Sequence, residues 1–250
     1  LLFDLSRSAQ AKQMRPESEP FADQLDAAVA STPKLFPKNA LVACQGTEGA
    51  YSQQACDVMF NMPGILYFSS FEGVFQAVEK GMCRYGVLPL ENSLAGSVTD
   101  VYDLMKAHRF SIVRSVKLRI AHRLLALPGV RIEDVREVVA HEQALRQCGR
   151  FLSGMKDVKL TPFANNATAA RFVAESARRD VAAIASAQSA PLYGLAALEQ
   201  DIMNSDSNYT RFICISRDMQ IYPGANRISL MASLPHTPGA LYRAVARFAV

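Results

Sequence analysis

The chain has 250 residues, 50% of them hydrophobic and 20% charged, with a formal net charge of +4 and a sequence pI of about 8.8. That length exceeds the roughly 100–150 residues of a common single domain, so a two-lobed unit or two domains with a sizeable core are expected. The mild positive charge comes without a lysine or arginine run, which disfavours nucleic acid and suits small anionic ligands. No apolar stretch approaches the roughly 20 residues of a membrane span, and no signal-peptide pattern opens the chain.

Cys44, Cys56, Cys83, Cys148 and Cys214 are odd in number and show no Cys-x-x-Cys spacing, which fits reduced thiols in a cytoplasm. His108, His122, His141 and His236 are scattered, so no metal site is expected. The chain begins without methionine and ends inside an apolar pattern at Val250, and it reads as a piece of a longer protein.

Residues 1–13 read as the last turns of a helix, with Leu2, Leu5 and Ala9 on one face and Ser6 and Gln10 four apart. Residues 14–39 carry Pro16, Pro20, Pro33 and Pro37 among polar residues and read as a linker with one short helix near Phe21–Ala30. Ala40–Ala43 reads as a strand. A glycine-bearing loop, Gly46-Thr47-Glu48-Gly49-Ala50-Tyr51-Ser52, leads from it into a helix ending near Phe60, with Ser52 as the expected N-cap. A strand, a glycine loop and a helix N-terminus make an anion site, although an ordinary tight turn has the same shape. The Gly-Lys-Ser/Thr ending of a P-loop is missing.

A strand over 65–69, a helix over 73–79 and a strand over 85–90 follow. The last runs into Glu91-Asn92-Ser93, a carboxylate, an amide and a hydroxyl in succession, which suits a cleft and equally suits a turn. Ser97 is expected to cap a helix through Lys106. Residues 110–118 and 120–127 alternate as strands where one lobe would pass to the other. A strand over 135–140 then precedes a helix opened by His141 and ending near Leu152. Further on come a strand over 158–162, a helix over 165–178, a small-residue strand over 182–185 and a helical stretch through Leu198. This alternation predicts α/β architecture with largely parallel sheets.

Asn208-Tyr209-Thr210-Arg211-Phe212 opens the apolar strand Ile213–Ile215. Thr210 offers a proton, Arg211 a two-pronged grip on a carboxylate and Phe212 an apolar wall. Residues 226–234 read as a strand, and Pro238-Gly239-Ala240-Leu241-Tyr242 opens a last helix.

Taken together, the GTEGAYS loop, Glu91-Asn92-Ser93-x-x-Gly96, His141-x-Gln143-Ala144-Leu145 with Gln147-Cys148, and Thr210-Arg211-Phe212 resemble the prephenate dehydratases over residues 41–217. The resemblance implies a two-lobed α/β domain over 40–217, periplasmic-binding-protein-like of type II, with a second lobe near 119–195 and substrate in the cleft between lobes. Residues 226–250 are similar to the start of an α+β ACT regulatory module, in which Gly239, Ala240 and Leu241 match a phenylalanine-binding motif. The tail at 1–13 is similar to the closing helix of the all-helical chorismate mutases. The resemblance further implies a homo-oligomer, dimeric or tetrameric, that needs no metal or organic cofactor; the cysteine pattern sets the expectation of a cytoplasmic location.

On this basis Thr210, Glu91, Asn92 and Ser93 are the expected catalytic residues. Gly46, Thr47, Ser52, His141, Gln143, Ala144, Asn166, Arg211 and Phe212 are expected to hold prephenate. Two positions depart from the family pattern: Ala140 stands where Ser is usual and Asn166 where Thr is usual, each removing a hydroxyl expected on the second lobe's side of the cleft. The alternatives are a non-catalytic small-acid sensor on the same fold, or an arogenate dehydratase.

Overall fold

The computed structural model describes residues 20–229 and 232–248, so the predicted helix end at 1–13 lies outside the described residues. The chain divides into two compact units, one of residues 36–219 and one drawn from 1–35 and 220–250. Among the described residues no helix is long and apolar enough to cross a membrane.

The smaller unit contains helix α1 (Pro20–Ser31), whose end is tied to the later segment by the Ile221 N–H donating to Thr32 Oγ1 at 2.9 Å. The described residues of 226–234 are not a strand. A strand exists only through ladder bonds to a neighbour, and this segment finds none among the described residues. The last helix, α9, is short, Ala240–Val245, and follows Gly239 in the left-handed region at φ 76°.

The larger unit holds two sheets. In the first, β1 (Leu41–Gln45), β2 (Gly64–Phe68) and β3 (Tyr85–Asn92) are separated by α2 (Tyr51–Met59) and α3 (Phe71–Glu79). Helical crossovers permit parallel pairing, and β1 pairs parallel with both neighbours. Then come β4 (Gly96–Ser97), α4 (Thr99–Ala107) and β5 (Ser111–Arg119).

The chain next builds the second sheet from β6 (Arg123–Ala126), β7 (Glu137–His141), α5 (Glu142–Gln147), α6 (Gly149–Ser153), β8 (Lys159–Phe163), α7 (Asn166–Ser176), β9 (Val181–Ala185), α8 (Ser189–Tyr193) and β10 (Ala196–Glu199), in strand order β10-β6-β9-β7-β8. It returns as β11 (Tyr209–Ser216), which inserts antiparallel between β3 and β5 to complete the order β2-β1-β3-β11-β5. This is the two-lobed α/β class that the family resemblance implies, but the sheets are mixed rather than largely parallel, because β11 and β6 each run antiparallel to both of their neighbours. The lobes are joined by two crossings, Ile120–His122 and Gln200–Asn208, fastened where Ile120 N–H donates to Asn208 O at 2.8 Å.

Burial follows the layers. Val181-Ala182-Ala183-Ile184-Ala185 is buried throughout because β9 is covered on both faces, one by α5 and α6 and the other by the alanine-rich side of α7. In the first sheet Phe212 and Cys214 face α2, whereas Ile213 and Ile215 face α3 and α4. Gly86 sits where α3 presses on β3: a Cβ there would lie 2.8 Å from Val74 Cγ1 and 3.0 Å from both Ile215 Cγ1 and Val78 Cγ2. Gly86→Ala is therefore expected to destabilise the fold by about 1–3 kcal/mol, read as a lower urea midpoint with unchanged slope.

Three local expectations are corrected. Ser52 is not the cap of α2: Ala50, extended at φ −71° and ψ 157°, holds that position without a side-chain bond, and Ser52 lies buried in the first turn. Ser97 does not cap α4, because it is held extended opposite Glu91 in β4. The helical stretch through Leu198 stops at Tyr193, where Gly194 turns left-handed at φ 65°. Residues 196–199 are then drawn into pairing with β6, a tertiary contact that overrides their helix propensity.

Candidate active site

In each lobe the helix after a strand begins at the strand's carboxyl end, so helix N-termini and strand ends converge on one side. Between the lobes they line a cavity of about 290 Å³. Its first-lobe wall carries Ala50, Tyr51 and Ser52 from the cap and first turn of α2, Pro89 and Asn92 from β3, Asn208 just before β11, and Thr210 and Phe212 from its start. Side chains alternate along a strand, so residues 208, 210 and 212 share one face and Arg211 takes the other. Across from them the β3 register slips between Arg211, opposite Glu91, and Phe212, opposite Pro89. That bulge accommodates a proline in a central strand and brings Pro89 and Asn92 to the same cavity.

Asn92 organises this wall. Its Oδ1 accepts the N–H groups of Leu94 (3.1 Å) and Ala95 (2.9 Å), which fixes the amide. Its Nδ2 donates to Asn208 Oδ1 at 2.6 Å, to Thr210 Oγ1 at 2.9 Å and to Tyr209 O at 3.1 Å. Thr210 is buried, accepts from Asn92 and donates to no described residue, so its proton is free to face the cavity.

The opposite wall comes from the second lobe. His141 caps α5, its Nδ1 accepting from Gln143 N–H at 3.2 Å, and its own N–H donates to Asn166 Oδ1 at 2.8 Å. That bond turns the Asn166 amide nitrogen away from His141. Asn165 caps α7 by accepting from Thr168 N–H at 2.8 Å. His122, on the first crossing, is buried; burial pushes its pKa down to about 4 despite a hydrogen bond with Gln147, so the imidazole is neutral. Tyr51 stands beside it, its hydroxyl donating to Ala121 O at 2.7 Å, and burial holds the phenol above its ordinary range.

Among the described lining residues none is Asp, Glu, Lys or Arg. An anion here meets neutral donors: side-chain amides, hydroxyls and the first-turn N–H groups of α2, which no side chain caps.

Of the residues expected at the site, Asn92, Thr210, Phe212, Ser52, His141, Gln143, Ala144 and Asn166 line the cavity. Glu91, Ser93, Gly46, Thr47 and Arg211 are not among its lining residues. Glu91 is exposed and faces Arg211 at 3.9 Å (Oε1 to Nη1), and Arg211 Nε is buried without a partner. Ser93 is a clip: its hydroxyl donates to Ser207 O and accepts from Tyr209 N–H, both at 2.9 Å, fastening the returning chain. The Gly46 N–H is bonded to Phe68 O at 2.9 Å. Gly239, Ala240 and Leu241 belong to the other unit. Ala140 is fully buried in the core under α5, so the hydroxyl absent there takes nothing from the cavity wall.

Sequence reasoning gave no site role to Asn208, His122, Gln147, Tyr51, Asn165 or Ser186, all of which line the cavity. Two had a signal. Asn208 is two residues before Thr210 on a strand face, and Gln147 is one helical turn after Gln143.

Fold and cavity define a two-lobed α/β protein whose interlobe cleft suits a small organic anion. The sequence matches the prephenate dehydratase family over residues 42–220, and the chain belongs to that family. It is 41% identical over 212 residues to arogenate dehydratase/prephenate dehydratase 2, chloroplastic, of Arabidopsis thaliana, covering 84% of this chain and 55% of that protein. The chain thus spans about half the length of the curated relatives it matches. Among solved structures it is similar to the prephenate dehydratase of Arthrobacter aurescens in complex with L-Phe, with 25% identity, a TM-score of 0.69, and 84% and 72% of the two chains covered. It is also similar to GqqA, a novel type of quorum quenching acylase, with 29% identity, a TM-score of 0.67, and 84% and 77% covered.

Proposed function

We propose that the chain catalyses the decarboxylating dehydration of prephenate to phenylpyruvate, a step of phenylalanine biosynthesis. The observation that carries this reading is the Asn92–Thr210 pair: Asn92 donates to the hydroxyl oxygen, which leaves the Thr210 proton for an oxygen in the cleft. The ring carboxylate's C–C bond breaks and its electron pair enters the ring. The carboxylate carbon leaves as carbon dioxide while the C–O bond across the ring breaks in concert, and the departing oxygen takes the Thr210 proton to leave as water. A second water returns a proton to the Thr210 oxygen and departs as hydroxide. The product's aromaticity drives the step, so the enzyme needs mainly to help the hydroxyl leave, worth roughly 10²–10⁴ in rate. The uncapped N-terminus of α2, with Asn166 and Gln143 opposite, would anchor the two carboxylates. Phe212 and Pro89 would supply the apolar side against which a carboxylate is desolvated.

A second reading, arogenate as substrate, is favoured by relatives whose names carry both substrates. The test is to offer prephenate and arogenate separately to the full-length protein and measure phenylpyruvate and phenylalanine released. The expected result is turnover of prephenate with the larger kcat/KM; a larger value for arogenate would move the assignment there, and no turnover of either would refute it.

For the remaining parts, we read residues 226–250 as the beginning of an ACT module through which phenylalanine inhibits, with Gly239, Ala240 and Leu241 in its effector site. The left-handed Gly239 at the head of α9 and the L-Phe complex of the Arthrobacter protein support this. Residues 1–13 are read as the end of a chorismate mutase helix, which would make the whole protein bifunctional. Homo-oligomeric assembly follows from the family resemblance, and a cytoplasmic location is supported by five free, buried cysteines.

A further inference from the structure

The side chains around Thr210 can be oriented from their donors and acceptors. Asn92 Oδ1 takes the N–H groups of Leu94 and Ala95, so the group facing β11 is the donor Nδ2. It lies 2.6 Å from Asn208, whose facing atom must be the acceptor Oδ1. Asn208 Nδ2 therefore points away from Asn92. Asn208 is fully buried and lines the cavity, and its Nδ2 has no hydrogen-bond partner. A buried donor held fixed and unpaired beside a cleft signals a place for a ligand acceptor.

Resting on the dehydratase reading, we infer that Asn208 is a substrate-contacting residue, its Nδ2 donating to the same departing oxygen that Thr210 protonates. Both side chains are bonded to the one Asn92 amide, Asn208 just before β11 and Thr210 two residues on within it, so their free donors serve neighbouring positions. The roles are complementary: Thr210 delivers a proton, and Asn208 holds the negative charge on the oxygen while the C–O bond breaks. A donor aimed at developing charge acts on the transition state more than on the bound substrate.

The test uses the full-length protein with Asn208→Asp, which preserves shape and the bond from Asn92, and Asn208→Leu, which preserves volume; both lose the donor. Turnover of prephenate, inhibition by phenylpyruvate and thermal unfolding are measured for each. Phenylpyruvate lacks the departing oxygen, so it separates this contact from general damage to the cleft. The expected result is a fall in kcat of about 10²–10³, with KM and the phenylpyruvate inhibition constant within about threefold of wild type. A folded variant with kcat within threefold of wild type overturns the inference, as does an equal weakening of phenylpyruvate. Should the new carboxylate unfold the chain, Asn208→Leu carries the reading, and failure of both to fold makes Asn208 structural and overturns it. A wild type inactive on prephenate and arogenate refutes the dehydratase reading itself, whereas an active wild type with unaffected variants refutes only the role of Asn208.

Discussion

Replacing Thr210 by valine is expected to lower kcat for prephenate by about 10²–10⁴ while KM stays within a few-fold. Valine keeps the branched shape of a buried strand residue and removes only the hydroxyl, so the packing of β11 between β3 and β5 is retained. What disappears is the hydroxyl proton that the Asn92 network leaves facing the cavity. The proposed carboxylate anchors sit elsewhere, on α2 and the second lobe, so ground-state binding is expected to persist. Thr210→Ser should restore much of the rate because the hydroxyl returns. Steady-state kinetics on the three proteins decide the matter. Equal losses in Thr210→Val and Thr210→Ser, or a loss expressed in KM alone, would remove Thr210 from proton delivery.

Asn92→Asp is expected to be as damaging to turnover, by about 10²–10³, for a different reason. One carboxylate oxygen can still accept the Leu94 and Ala95 N–H groups, so the turn after β3 survives. The other replaces a donor and faces three oxygens: Asn208 Oδ1, Tyr209 O and Thr210 Oγ1. Tyr209 O keeps the Ser93 N–H, whereas Asn208 Oδ1 and Thr210 Oγ1 lose their donor, and the Thr210 hydroxyl turns its proton onto the new carboxylate instead of the substrate. Acceptor facing acceptor in a partly buried site also costs about 1–3 kcal/mol of stability. Denaturant titration beside kinetics separates the two effects. A variant that keeps full activity and stability would show that Asn92 does not set the Thr210 proton.

Asn92 and Thr210 are far apart in the chain, and each was recognisable by chemistry and by motif. Their joining was not, because it depends on β11 returning from the second lobe to lie antiparallel on β3. The same return explains Arg211. As a sequence neighbour of Thr210 it reads as a substrate clamp, yet the period of two along a strand sends it to the opposite face, beside Glu91. Ser93 shows the converse: a hydroxyl that reads as cleft chemistry is occupied in tying two chain segments together.

The neutral character of the cleft was equally hidden. No local pattern indicates that the basic residues of a slightly basic chain stay out of the lining, or that His122 is held uncharged by burial. Ala140, conspicuous as a missing hydroxyl, is inconsequential to the cavity because its face of β7 packs into the core.

By itself the sequence determined the alternation of strands and helices, the two-lobed α/β class and the residue types of the cleft. Those follow from short-range rules: side-chain periodicity, glycine conformation, helix starts and motifs a few residues long. Where a helix yields to a strand at 196–199, which face of β11 meets the cavity, and which hydroxyls point into it were decided only by tertiary structure. Each depends on a neighbour dozens of residues away in the chain, and the free energy of that pairing or burial outweighs the local preference it opposes.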